Sequence, residues 1–279
     1  MIMNAAVDIL DLMTAMKAKG EPFALATVVR TVAATAAKAG AKAVILPDGT
    51  VSEGWIGGGC ARAAVLKAAK EALADGRPRL VSVAPPDVLQ ENGVEAGQQR
   101  DGVLFAKNTC PSQGTMDVFV EPVLPRPEIL VCGSSPVAVA IAALGRRIGF
   151  AITVCAPAAE QSAFAEVDRR IEDYALPGDP ARSRYVVVST QGRGDIAALQ
   201  AALAADVAYV AFVGSRKKAA VLKARLAELG MAKQDIERLH APAGIDLGAI
   251  TPDEIALSIL AEIVAVRRSG QPRSPVHAD

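Results

Sequence analysis

The stretch Ile129-Leu130-Val131-Cys132-Gly133-Ser134-Ser135-Pro136 leads into a helical segment, Val137 to Ile148, and then into Phe150-Ala151-Ile152-Thr153-Val154-Cys155. An uninterrupted apolar run suits a strand covered on both faces, and a helix between two such runs is the crossover of a parallel sheet. The alternation continues through a strand at Tyr185–Ser189, a helix at Ile196–Ala204 and a strand at Ala208–Val213. A helix at Lys217–Leu229, a short strand near Arg238–His240 and a last helix at Pro252–Val266 complete it. Residues 129–268 therefore read as a doubly wound parallel-sheet domain, with 269–279, rich in Pro and Ser, as a flexible tail.

Upstream, Pro122, Pro125 and Pro127 mark a stiff linker over 123–128, which separates an N-terminal α/β domain at 1–122. That domain opens with a helix from Asn4 to Lys19, capped by Asn4 and stopped at Gly20. Strands follow at Phe23–Thr31 and Ala43–Leu46, then a hairpin turn at Pro47-Asp48-Gly49-Thr50 returns the chain through Val51 to Ile56. Leu80–Val83 and Thr115–Glu121 are further strands, and Pro85–Gly102, polar and with little periodicity, reads as a long loop.

The hairpin delivers Gly54-Trp55-Ile56-Gly57-Gly58-Gly59-Cys60 to an Ala-, Leu- and Lys-rich segment, Ala61 to Leu73, with strong helix propensity. Cys60 then stands at the head of a helix. Glycines let a ligand approach the backbone, and the helix start contributes unpaired N–H groups and a partial positive charge. The same field favours the thiolate of Cys60, the nucleophilic and metal-binding form, so Cys60 is the candidate metal ligand. A second turn, Lys107 to Gly114, carries Cys110. Glycine turns before helices also serve packing alone, and a cysteine is commonly a small buried hydrophobe.

Thirty basic side chains balance 30 acidic ones, which removes the basic excess that general nucleic-acid or membrane-surface binding needs. The four cysteines, Cys60, Cys110, Cys132 and Cys155, contain no Cys-x-x-Cys pair. The N-terminus lacks a basic n-region, and the longest apolar run, Pro136–Leu144, is too short to cross a bilayer. A soluble cytoplasmic protein is expected, without nucleic-acid or membrane partners.

In an open parallel sheet the ligand site lies at the carboxyl ends of the strands, where four loops meet: Gly133-Ser134-Ser135, Thr190-Gln191-Gly192, Gly214-Ser215-Arg216 and Ala243-Gly244-Ile245-Asp246. Arg216, Lys217 and Lys218 crowd a helix start, where the dipole disfavours cations, so an anion is expected beside them. The first loop departs from the dinucleotide fingerprint, because Ser135 replaces its middle glycine and the next strand ends Cys155-Ala156-Pro157 rather than in a carboxylate. Both departures argue against NAD(P). His240 and His277 are the two histidines; His240, beside Pro242, reads as a loop or packing residue.

Taken in order, Gly57-Gly58-Gly59-Cys60, Cys110-Pro111-Ser112-Gln113-Gly114-Thr115, Val118 to Pro122, Gly214-Ser215-Arg216-Lys217 and Gly244-Ile245-Asp246-Leu247-Gly248 to Ala256 resemble the XdhC/CoxI family over nearly the whole chain. The resemblance implies an N-terminal α/β domain with the Gly-rich loop, followed by a Rossmann-like domain. It further implies an accessory protein of molybdenum hydroxylases that binds molybdenum cofactor, simple or nucleotide-extended, supports its sulfuration with a cysteine desulfurase and delivers it to the apo-hydroxylase. Gly57, Gly58, Gly59 and Cys60 match the family's glycine–cysteine motif, and Cys110 its second cysteine. Gly133, Ser134, Ser135, Gly214, Ser215, Arg216, Lys217, Gly244 and Asp246 complete the expected cofactor-binding set. Arg62 stands where relatives carry Glu, and Gly133-Ser134-Ser135-Pro136 where they carry Gly-Ala-Gly-His, which suggests a subgroup with altered ligand or client.

A carrier of this kind needs no turnover chemistry of its own, and a homodimer is compatible with it. Two other readings compete: an NAD(P)-dependent oxidoreductase built on the second domain, and an interaction protein for the hydroxylase that binds no ligand.

Overall fold

The structure is a computed structural model that describes residues 8–110, 113–176, 178 and 183–269, and of Cys60 the backbone only. It divides into two compact units, Met1–Pro125 and Arg126–Asp279. Among the described residues, no helix is long and apolar enough to cross a membrane.

The first unit runs α1 (Ile9–Lys19), β1 (Phe23–Val32), β2 (Lys42–Ile45), β3 (Val51–Gly54), α2 (Gly59–Asp75) and β4 (Arg79–Ala84). It continues with α3 (Pro86–Glu91), β5 (Gln99–Arg100), β6 (Val103–Lys107) and β7 (Thr115–Val123). Its seven strands lie in the order β3-β2-β1-β7-β4-β6-β5. Within that sheet β4 and β6 are parallel and the other neighbours antiparallel. Val65, Ala68, Ala69 and Ala72 recur on one face of α2 at helical spacing and are fully buried, together with Ala26, Val28, Val81, Val118 and Val120 of the sheet. Three alanines on that face let the helix lie close to the strands.

Two expectations change here. Asn4 lies outside the described residues, and the cap of α1 is Asp8, whose carboxylate accepts the Leu10 N–H at 2.9 Å. The segment Pro85–Gly102 is not one long loop: it holds α3, begun by Pro86 at a position that needs no N–H, and the short β5. Leu89 and Val94 are buried with Ala84 in a small core of their own, which gives the segment its anchor.

The second unit runs β8 (Glu128–Cys132), α4 (Pro136–Arg147), β9 (Ala151–Ala156), a 3-10 turn (Ala158–Ala163), β10 (Arg169–Glu172) and β11 (Arg184–Val188). Then come α5 (Asp195–Ala204), β12 (Tyr209–Phe212), α6 (Arg216–Glu228), α7 (Lys233–Glu237), β13 (Leu239–His240) and α8 (Pro252–Arg268). The sheet order is β10-β9-β8-β11-β12-β13, and every pair is parallel. This is the doubly wound Rossmann order, which reverses direction between β8 and β11. Successive strand residues serve opposite faces. Ile129, Val131, Ile152 and Val154 join one core with Ile259 and Ile263 of α8, whereas Leu130, Cys132, Val186 and Val188 join the other with Leu199 of α5 and Leu226 of α6.

Cys132 and Cys155 are direct partners across β8 and β9, and both are fully buried. Hydrogen bonding to Cys155 together with burial pushes the Cys132 thiol well above its ordinary range. Both cysteines serve as packing groups of the core.

Candidate functional site

In the first unit β3 ends at Gly54, where φ is +89° and a Cβ would lie 2.1 Å from the Lys42 carbonyl oxygen, so only glycine fits. The chain passes buried Ile56 and Gly57, at φ +97°, and enters α2 through Gly58 as the extended N-cap residue. Among the described residues no side chain caps this helix, and its first turn holds no acidic residue to offset the positive end of the dipole.

The turn carrying Cys110 is pinned by Asn108. Its side-chain amide donates to the Gly114 carbonyl at 2.7 Å, its side-chain oxygen accepts the Cys110 N–H at 2.9 Å, and its backbone N–H donates to the Ala84 carbonyl at 2.7 Å. A Cβ on Gly114 would lie 2.2 Å from the Ala34 carbonyl oxygen, so the end of this turn packs directly on the backbone just beyond β1.

These pieces enclose one cavity of about 60 Å³, lined by Gly57, Gly58, Cys110, Asn108, Thr35 and Met116 among others. The fold thus gathers two glycines of the first motif with the cysteine of the second. Over the described residues the volume is below the roughly 300–1,000 Å³ of pockets that bury a whole organic ligand, a size that suits a terminal group. Gly59 opens α2. The Cys60 side chain lies outside the described residues, as do Pro111 and Ser112. Among the described residues, no three His, Cys, Asp or Glu side chains cluster as a metal site.

In the second unit the loops after β8 and β11 pack against each other at the reversal point. A Cβ on Gly133 would lie 2.5 Å from the Ser189 carbonyl oxygen and 2.7 Å from Thr190 Cα, so the two loops touch backbone to backbone. Ser135 caps α4 by accepting the Ala138 N–H at 3.1 Å, and its hydroxyl shares a hydrogen bond of 2.6 Å with Ser189. The Ser134 hydroxyl donates to Glu160, which also lies 3.5 Å from Arg193. Asp195 accepts from Thr190 and from the Gly192 N–H at 3.1 Å, and pairs with Lys218 at 2.7 Å. Burial works against its ionisation, but Lys218, Thr190 and Gly192 outweigh that and hold the carboxyl below its ordinary range.

Among the described residues, this unit has an open cleft of about 460 Å³ at the carboxyl ends of β12 and β13. Gly214, Arg216, Gly244 and Asp246 line it together, as the loop reading expects, and Ser215 caps α6 by accepting the Lys218 N–H at 3.2 Å. Lys217 follows on α6 and is exposed. Gly133, Ser134 and Ser135 do not reach this cleft. Lys218, one of the three expected anion-seeking cations, is instead taken up by Asp195.

The wall formed by residues 241–248 is held from behind by Glu262 of α8. Its carboxylate accepts the Gly244 N–H at 2.7 Å and the Tyr209 hydroxyl at 2.6 Å, and bonds His240 Nδ1 at 2.7 Å. Burial and the neighbouring carboxylate push the Tyr209 phenol far above its ordinary range. Glu160, Asp195 and Glu262 escape sequence reading because each finds partners distant in the chain or beyond a strand end. Asn108 carried a usable signal, since an Asn two residues before Cys110 is placed to accept its N–H in an Asx turn.

Residues 16–84 match the XdhC and CoxI family, and residues 129–263 match the XdhC Rossmann domain. The uncharacterized protein YqeB of Escherichia coli K12 is 30% identical over 257 residues, covering 89% of this chain and 44% of that protein. A probable xanthine dehydrogenase subunit of Bacillus subtilis 168 is 25% identical over 166 residues, covering 55% of this chain and 47% of that one. The chain thus spans less than half the length of either relative. A crystal structure of a xanthine dehydrogenase from Bacillus halodurans is 19% identical with a TM-score of 0.45, over 95% of this chain and 98% of that chain.

Proposed function

Since the chain belongs to the XdhC and CoxI family, we propose that it is an accessory protein that binds molybdenum cofactor, supports its sulfuration and inserts it into a molybdenum hydroxylase. The observation that carries this reading is the meeting of Gly57 and Gly58 with Cys110 in one cavity at the uncapped start of α2. The cofactor, here the cargo, offers a soft metal–sulfur end that suits a thiolate and an anionic charge that suits open amides. A cavity of about 60 Å³ fits such an end and leaves the pterin outside it.

Cys110, with Cys60 at the second residue of α2, is assigned to that end as a transient ligand or as acceptor of the sulfur supplied by a cysteine desulfurase. Gly57, Gly58 and Gly59 let the cargo approach the helix amides. The relative from Bacillus subtilis, named as a probable part of a xanthine dehydrogenase, supports a molybdenum hydroxylase as the partner that receives the cofactor.

The test is a titration with anaerobically released molybdenum cofactor, run on the wild type, Cys110→Ser and Cys60→Ser, with circular dichroism as the check on folding. Saturable binding that weakens in either serine variant supports the reading. Equal binding by both variants, or none by the wild type, removes it.

A further inference from the structure

The Rossmann order directs attention to the crevice between β8 and β11, where a dinucleotide would ordinarily lie. At that point Gly133 abuts Ser189 and Thr190, Ser135 bonds Ser189, and Glu160 bonds Ser134. Among the described residues, a space that a ligand could enter lies further along the sheet, in the cleft of about 460 Å³ beyond β12 and β13. That volume falls within the range of small-molecule sites.

We propose that this cleft binds a nucleoside monophosphate, free or as the terminal nucleotide of a larger molecule, through Arg216 and Asp246. Arg216 is exposed, lines the cleft and meets no carboxylate among the described residues, unlike Lys218 two positions later. Its planar guanidinium suits a phosphate bidentately, and as the first residue of α6 it stands where the helix dipole itself favours an anion. Asp246 supplies the acceptor that a ribose hydroxyl requires. Pro242, Ile245 and Leu247 provide the apolar wall for a flat ring; Ile245 and Leu247 are 44% and 54% exposed, apolar surface that a ring would cover.

The wall is preorganised. Besides the Glu262 bond to Gly244, the Ala243 N–H donates to the Phe212 carbonyl at 3.0 Å and the Ile245 N–H to the Ser258 carbonyl at 3.3 Å. A loop fixed in this way loses little freedom when a ligand arrives. The inference stands apart from the carrier reading, because it concerns only the second unit and holds whether or not the first unit takes molybdenum.

The test is calorimetric titration of the full chain with AMP, GMP, CMP and UMP, with the matching nucleosides, inorganic phosphate and NAD in parallel. At least one monophosphate should bind saturably, more tightly than its nucleoside, with affinity falling as salt rises. Arg216→Ala should weaken it at least about tenfold, the scale of one charge-assisted bond. Arg216→Lys should recover part of that loss, and Asp246→Asn should weaken the monophosphate severalfold while leaving inorganic phosphate unchanged. Glu160→Gln, beside the β8–β11 crevice, should bind as the wild type does. The proposal is overturned if no monophosphate binds at millimolar concentration, if Arg216→Ala binds equally, or if Glu160→Gln abolishes binding.

Discussion

Lys218 Nζ lies 2.7 Å from the Asp195 carboxylate and so ties the first turn of α6 to the first residue of α5. Three consecutive basic residues at a helix start therefore differ in purpose. Lys218 completes an internal network, whereas Arg216 is left to face the cleft.

Asp195→Ala should destabilise the second unit by about 2–3 kcal/mol, because Thr190, the Gly192 N–H and Lys218 all lose their acceptor. Lys218→Met should cost less, about 1 kcal/mol, since the lysine is partly exposed and screened. Folding lowers the proton affinity of Asp195, so its contribution is complete above the unfolded carboxylate value of about 3.9 and is lost as pH falls through the folded value. Asp195→Asn lacks that acid limb. Urea unfolding at about pH 7 and about pH 3.5 should show the gap between wild type and Asp195→Asn narrowing at the lower pH.

The chain has three tyrosines, Tyr174, Tyr185 and Tyr209, and burial raises the pKa of each. The stability this represents is full below the unfolded tyrosine value of about 10 and is lost as pH rises beyond it. A near-ultraviolet titration should therefore show little phenolate at about pH 10 in the folded protein, with the signal rising in step with unfolding. Phenolate appearing at that pH while circular dichroism stays native would contradict this.

Gly133 and Gly149 both sit in the left-handed region, at φ +101° and +90°, but their surroundings differ. Gly149→Ala meets nothing within 4 Å and should cost about 1 kcal/mol of backbone strain. Gly133→Ala adds a clash with backbone at 2.5 Å and should cost more than about 3 kcal/mol, or prevent folding of the second unit. Denaturant midpoints of the two variants decide it, and equal values would mean that the loops after β8 and β11 are not in contact.

A thiol-reactive disulfide reagent should find Cys110 in the native protein and leave Cys132 and Cys155 untouched until denaturant is added. Asn108→Ala removes the pin on the Cys110 turn and should change the rate at Cys110 severalfold with a smaller effect on the unfolding midpoint. Peptide mapping of the labelled cysteines gives the answer directly.

The parallel sheet is legible in the sequence because Ile129–Cys132, Ala151–Cys155 and Tyr185–Val188 are uninterrupted apolar runs, which only a strand buried on both faces requires. β10 is not legible. It is an edge strand of Arg169-Arg170-Ile171-Glu172, largely exposed, and its identity comes from pairing with β9 rather than from any periodicity of its own. The same reason hides α3, held by Leu89 against a neighbouring strand, and β5, defined by its pairing with β6. Of the site, the glycine turn and the cleft loops are legible because glycine at a strand end has a local meaning. Glu160, beside Ser134 at the β8–β11 reversal, and Glu262, behind the cleft wall, act on residues 26, 22 and 18 positions away along the chain, where local pattern carries no information.

The placement of β7 between β1 and β4 bears on how the polypeptide matures during synthesis. Until Thr115–Val123 has left the ribosome, β1 with its hairpin and β4 with β6 are separate half-sheets, each presenting an unpaired edge. Such edges recruit other strands, so nascent chains stalled ahead of residue 115 are the form of this protein most exposed to aggregation and most dependent on chaperones. Closure comes with one late strand that zips both halves at once, only a few residues before the second unit begins to emerge.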